Sequence, residues 1–208
     1  SSFWSTKDHA IQGITATYAA LQGHDGDKWT FFEETYTSIA YKGDDLDNNK
    51  NEGYSKTIAN FTNGTEVSGP FNIWATCYAG IGRANQVIDK VPSITSMSEQ
   101  ERNEIVGEAK FLRGYFYFML VNAFEHVPLV LKFEKDLTKL QVPQAKPEEV
   151  WAQIEKDLRD AELVLPSSYD DANVGRATKG AAKAFLGKVF LFREKWPQAE
   201  SKFKEIYG

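Results

Sequence analysis

His9, His24 and His126 are the three imidazoles of the chain, scattered at spacings that match no metal-binding or metalloprotease pattern. There is no Gly-x-Ser-x-Gly turn, no phosphate-cradling P-loop and no Gly-x-Gly-x-x-Gly fingerprint, so nucleophilic and nucleotide chemistry lack a starting point. The single cysteine, Cys77, stands between Trp74 and Tyr78 in a helical pattern and reads as a buried, inert thiol. One cysteine also excludes an internal disulfide and a cysteine-based zinc site. Carboxylate pairs occur at Glu33/Glu34, Asp44/Asp45 and Asp170/Asp171. Glycosidic hydrolysis needs two carboxyls facing each other across a sugar, and sequence neighbours do not provide that. In "DDLDNNKNEG" the alternating Asp45, Asp47 and Asn49 suggest a calcium loop. Lys50 stands where the EF-hand glycine belongs, and Lys56 where the bidentate glutamate belongs, so an EF-hand is excluded and a solvated polar loop is favoured.

Residues 23 to 69 are rich in Gly, Asn and Asp, as in "YKGDDLDNNKNEGY" and "NFTNGTEVSGP". Those residues make turns and long loops, and long loops in compact domains are usually functional or disordered. Short helices fit only around Phe31 to Ile39 and Ser55 to Phe61. The totals allow one large domain or two small ones, and the formal net charge of -5 disfavours a phosphate-binding face. Neither a secretory h-region nor a run of some 18 apolar residues is present.

Elsewhere a helical period dominates. Ser5 and Asp8 have capping-box spacing before a helix whose apolar positions are Ala10, Ile14, Tyr18 and Leu21. Trp74, Tyr78, Ile81, Asn85 and Ile88 share one helical face, with the asparagine in mid-stripe. A buried amide there is expected to satisfy backbone groups of a neighbouring loop. Ser98 and Glu101 form a second capping box, before a helix containing six aromatic rings between Phe111 and Phe124. Rings on several sides of one helix mark it as the axis of a core rather than a ligand platform. Arg113, set among them, is expected to pair with a carboxylate, such as Glu108, of a neighbouring turn or helix. "FEHVPLVLKFE" reads as an extended crossing segment. Pro147 opens the next helix at its first position, with Val150, Ile154, Leu158, Ala161 and Leu165 as its face.

Two closing helices carry Leu186-Gly187-x2-Phe190 and Ala199-x3-Phe203, which fits the tetratricopeptide spacing. Gly180, Ala184 and Gly187 would form a small-residue strip for close approach, with Phe190 and Phe203 filling the gap. The fold expected is all-α: a tetratricopeptide-like helical repeat scaffold with a long irregular loop segment.

In order along the chain, these signatures resemble the SusD/RagB family of outer-membrane glycan-binding lipoproteins. "TKDHAIQGITATYAAL" is similar to its opening helix and "GDD" to its acidic loop. "WATCYAGIGRANQVIDKV" is similar to its W-x3-Y-x2-I-x3-N helix. "EAKFLRGYFYFMLVNAFEHVPLVL" and "GRATKGAAKAFLGKVFLF" resemble its two most specific segments. Gly114 departs from the usual Ala, and Glu125-His126 from the usual Gly-Asp. The resemblance implies that residues 1–208 are the N-terminal helical domain of a longer protein, lacking the family's C-terminal half. It further implies a non-catalytic, surface-exposed protein without a cofactor, which binds an oligosaccharide or polysaccharide and passes it to a SusC-like TonB-dependent transporter. An N-terminal lipid would anchor it to the outer membrane. Sugar contacts would come from rings, carboxylates and amides of the loop region, whose rings include Tyr41 and Phe61, with Trp29, Asp45, Asn49, Tyr54, Asn63 and Phe71 as candidates. A protein-binding adaptor and an α-helical glycosidase are the alternatives.

Overall fold

The structure is a computed structural model and describes residues 3–22, 53–62, 64, 68–134, 136 and 141–207. Helix α1 (Lys7–Ala19) is capped by Thr6, whose side chain accepts from the His9 N–H, and not by Ser5 as its capping-box spacing suggests. Ser5 instead pairs its hydroxyl with the His9 ring. The helix tightens to a 3-10 turn at Ala20–Gln22. Helix α2 (Gly53–Ala59) matches the short helix expected near Ser55; the one expected over residues 31 to 39 lies outside the described residues.

Helix α3 (Ser68–Lys90) ends in a 3-10 turn at Val91–Ser93, where Pro92 stops it. Its fully buried line is Ile73, Cys77, Ile81, Ala84 and Val87. Trp74, Tyr78 and Ile88 flank this line half-buried, so the face read from the sequence is rotated slightly off the true contact. Helix α4 (Glu99–Phe124) has the anticipated capping box: Ser98 Oγ accepts from the Glu101 N–H, and Glu101 reaches back to the Ser98 N–H at 2.8 Å. Helix α5 (Pro147–Val164) starts at Pro147, and Glu149 accepts from the Lys146 N–H. Helices α6 (Lys179–Phe192) and α7 (Trp196–Tyr207) close the chain.

Contact order along each pair shows antiparallel packing. Trp74 of α3 meets Phe124 at the far end of α4, while Asn85 meets Arg113. Lys110 meets Asp160 of α5, Arg113 meets Asp157, and Phe118 meets Trp151. In the last hairpin Lys183 meets Glu205 and Gly187 meets Phe203. Helix α4 therefore lies between α3 and α5 and also touches α1. This explains its rings: Leu112, Phe116, Tyr117 and Leu120 are essentially inaccessible, and Phe111 and Tyr115 pack half-buried against Phe185 of α6. Each such ring removes roughly 150–250 Å² from water.

The close-approach strip is narrower than expected. A methyl on Gly187 would stand 2.7 Å from the Phe203 ring, so only glycine fits there. Gly180 and Ala184, by contrast, are exposed and make no close approach. No strand occurs among the described residues; the segment after α4 crosses extended, with a bridge from Pro128 to Gln144 and a bond from the Ala145 N–H to the Val127 carbonyl.

Candidate functional site

Among the described residues, the buried charges are spent on structure. Arg113, 5% exposed, gives Nε and Nη2 to the two oxygens of Asp157 at 2.8 and 2.7 Å. Its partner is thus a carboxylate on the facing helix, not Glu108 of its own helix: Glu108 lies one and a half turns away and points toward α1. The third nitrogen of Arg113 donates to Asn85 Oδ1 at 2.7 Å, and Asn85 Nδ2 donates to the Val130 carbonyl at 2.9 Å. The amide in the α3 stripe therefore satisfies a neighbouring loop, as its position demanded.

That loop is the extended crossing segment, and side chains hold it in place of a sheet ladder. Tyr117 both accepts from the Val130 N–H and donates to its carbonyl, Tyr78 donates to the Pro128 carbonyl at 2.8 Å, and Asp89 accepts from the Phe133 N–H. Burial pushes the Tyr78 and Tyr117 phenols well up, so both stay protonated donors.

Glu108, 1% exposed, belongs to a second network. Arg176 grips it with two bonds of 2.9 and 2.7 Å, and the Tyr18 hydroxyl donates to it at 2.8 Å while accepting from the Ala177 N–H. Burial, with the Glu108 charge beside it, raises the Tyr18 phenol. Gly175 precedes this arginine at φ +96°, a conformation only glycine adopts without strain. The Tyr169 ring lies under the Arg176 guanidinium at 5.6 Å. These two networks account for the Glu and Arg of the α4 motif and the Gly-Arg of the α6 motif. Each carboxylate accepts three hydrogen bonds and is closed to solvent, so neither is placed to meet a substrate.

Cys77 is fully buried and burial raises its thiol pKa, which makes it unreactive. Asp170, beside Asp171, accepts from the Asn173 amide on the surface. Among the described residues no group of three His, Cys, Asp or Glu side chains could hold a metal, and no helix is long and apolar enough to cross a membrane.

Of the six candidate sugar contacts, Trp29, Asp45, Asn49 and Asn63 lie outside the described residues, as do the acidic loop and its calcium reading. Tyr54 falls in α2, and Phe71 in the first turn of α3, where its side chain is 68% exposed. A second large ring is equally open: Phe61, 69% exposed, just beyond the end of α2. Exposed faces of this kind are what a sugar's C–H surface can cover, whereas the rings of α4 are packed against neighbouring rings.

The family model described as SusD-like, "starch-binding associating with outer membrane", matches residues 14–191. A SusD-like protein of Formosa agariphila is 29% identical over 204 residues, covering 95% of this chain and 38% of that protein. A SusD-like protein of Bacteroides ovatus is 31% identical over 125 residues, 59% of this chain and 22% of that protein. Among solved structures, a laminarin-binding SusD-like protein superposes with a TM-score of 0.85 at 33% identity, covering 99% of this chain and 44% of its own. The chain thus spans about two-fifths of the length of the first of these relatives and of that solved structure.

Proposed function

Because the chain belongs to the SusD-like family, starch-binding and associated with the outer membrane, we propose that it forms the helical scaffold of a non-catalytic cell-surface protein that captures a glucan oligosaccharide and delivers it to a SusC-like TonB-dependent transporter. The observation that carries this reading is the similarity, over nearly the whole chain, to a protein that binds laminarin. Anchoring by an N-terminal lipid belongs to the same reading.

Binding would divide between two kinds of contact. The rings of Phe71, Trp29 and Tyr54 would cover the hydrophobic faces of sugar residues, and Asp45, Asn49 and Asn63 would exchange hydrogen bonds with hydroxyls. No charge needs to develop or move, which suits a scaffold whose Glu108 and Asp157 are each held by three donors out of solvent. The repeat helices would dock onto the transporter, a usual task for stacked helical hairpins.

Calorimetric titration of the purified chain with laminarin and with soluble starch tests the reading. Saturable binding of at least one glucan, with no reducing ends released on long incubation, is the expected result. Binding of neither would favour a protein-binding adaptor. Release of reducing sugar that disappears when one loop carboxylate is replaced would make the protein a glycosidase.

A further inference from the structure

Helix α2 ends in a turn that nature usually builds around glycine. The Thr62 N–H bonds the Thr57 carbonyl at 2.8 Å and the Phe61 N–H bonds the Ile58 carbonyl at 3.1 Å. That pair of bonds, six-to-one and inside it five-to-two, is a Schellman cap, whose penultimate position must be left-handed. Phe61 fills it at φ +54°. A bulky side chain there is a genuine outlier.

The same cap ends α6, where the Lys195 N–H bonds Phe190 and the Glu194 N–H bonds Leu191, with Glu194 at φ +55°. Glu194 is an exposed charged residue, content in water. Phe61 combines the strained backbone with a ring that is 69% exposed. Its immediate neighbours, Asn60 and Thr62, are also exposed, and both are polar. The turn thus holds up an open aromatic face between the Asn60 amide and the Thr62 hydroxyl, which donates to the Thr57 carbonyl at 3.5 Å and keeps its lone pairs free to accept.

Neither cost, the strain nor the wetted ring, is repaid by burial in the core. Local rules of this sort are broken chiefly where function requires it. We propose that Phe61 is a glycan-stacking residue, with Asn60 and Thr62 hydrogen-bonding the hydroxyls of the sugar unit that covers it. The occupant is a neutral glucan because the flanking groups are uncharged and because the laminarin-binding protein shares this scaffold. This inference rests on the glycan-binding reading above.

The test compares the whole unsubstituted chain with Phe61→Gly and Phe61→Trp in laminarin and starch titrations, alongside thermal melting. Glycine relieves the left-handed strain, so Phe61→Gly should melt at the same or a higher temperature. It should nevertheless bind roughly ten-fold more weakly or worse, since a ring covering a sugar face removes apolar area of that worth. Phe61→Trp should keep affinity within about three-fold, because tryptophan likewise presents a stacking face. If the unsubstituted chain binds and Phe61→Gly binds equally well, the inference is overturned while the glycan reading stands. If Phe61→Gly loses affinity and also melts lower, the ring serves to hold α2, and the inference is again overturned. If the unsubstituted chain binds no glucan, the functional reading falls and takes this inference with it.

Discussion

Replacing Asp157 by leucine should be among the most damaging single changes in the helical body. The carboxylate is 1% exposed and accepts three hydrogen bonds, two from Arg113 and one from Gln153 at 2.9 Å. Leucine fills much of the volume but leaves a guanidinium, itself 5% exposed, with two donating nitrogens facing a methyl group. Breaking a buried pair by removing one partner costs about 3–5 kcal/mol, because the surviving charge is stranded. For a chain of this size each kcal/mol shifts the melting point by about 2–4 °C, so a loss of about 6–20 °C is expected. Urea titration of the unsubstituted chain, Asp157→Leu, Arg113→Met and the double variant measures it. The double variant should be more stable than Asp157→Leu alone, since no charge is then stranded. It should still fall short of the unsubstituted chain by about 1–3 kcal/mol, because the Asn85 oxygen loses its donor. Added salt should change little, as screening hardly reaches a buried pair. A single-variant cost under about 1 kcal/mol, or two single losses that simply add, would refute the claim that this pair is closed to water.

Other outcomes follow from single positions. Glu125 sits at φ +60°, ψ -70°, with the His126 N–H bonded to the Phe124 carbonyl at 2.7 Å, a strained γ-turn; Glu125→Gly should therefore raise stability by about 1 kcal/mol in urea melts. Gly114→Ala should be stabilising by about 1 kcal/mol, because its methyl would meet Leu158 at an ordinary 3.4 Å and alanine favours helix. Gly80→Ala should instead cost about 1–3 kcal/mol, since its methyl would overlap the buried Phe116 ring; equal effects at the two glycines would contradict the packing. The hydrogen bond from Lys7, then those from Ser98, hold the Glu101 carboxyl down at about 2. A depressed folded value stabilises above the unfolded one, so this contribution is whole above about pH 4.5 and fades as pH falls towards 2. Glu101→Gln should accordingly flatten the acid limb of a melting-temperature profile across that window.

The helices were legible because period, caps and prolines agree with one another: Ser98 and Glu101, Pro147, and the Val150 to Leu165 face all stand where the pattern puts them. Misplacements were small and local. Ser5 yields to Thr6 because both are good caps, and only the backbone decides between neighbours. Arg113 was expected to find a carboxylate, but which one depends on how two helices register, and a one-helix pattern carries no such information. Glu108 and Arg176 are 68 residues apart and meet only in three dimensions. Phe61 stands among the loop-region rings that the sequence offers to a sugar, directly after a short helix and before Thr-Asn-Gly. Exposure itself cannot be seen in a period too short to define a face.

Glu108 and Arg113 stand five residues apart on one helix, yet they tie together different pairs of elements. Glu108 joins Tyr18 in α1 to Arg176 at the threshold of α6, and Arg113 joins Asn85 in α3 to Asp157 in α5. Stacked helical hairpins commonly unravel from their termini, one unit at a time. Here the first helix cannot peel away without uncovering the Glu108 anion, nor can α5 leave without stranding the Arg113 cation. Peripheral fraying is thereby made about as unfavourable as global melting, and amide exchange in α1 and α5 should share one protection free energy in place of a gradient.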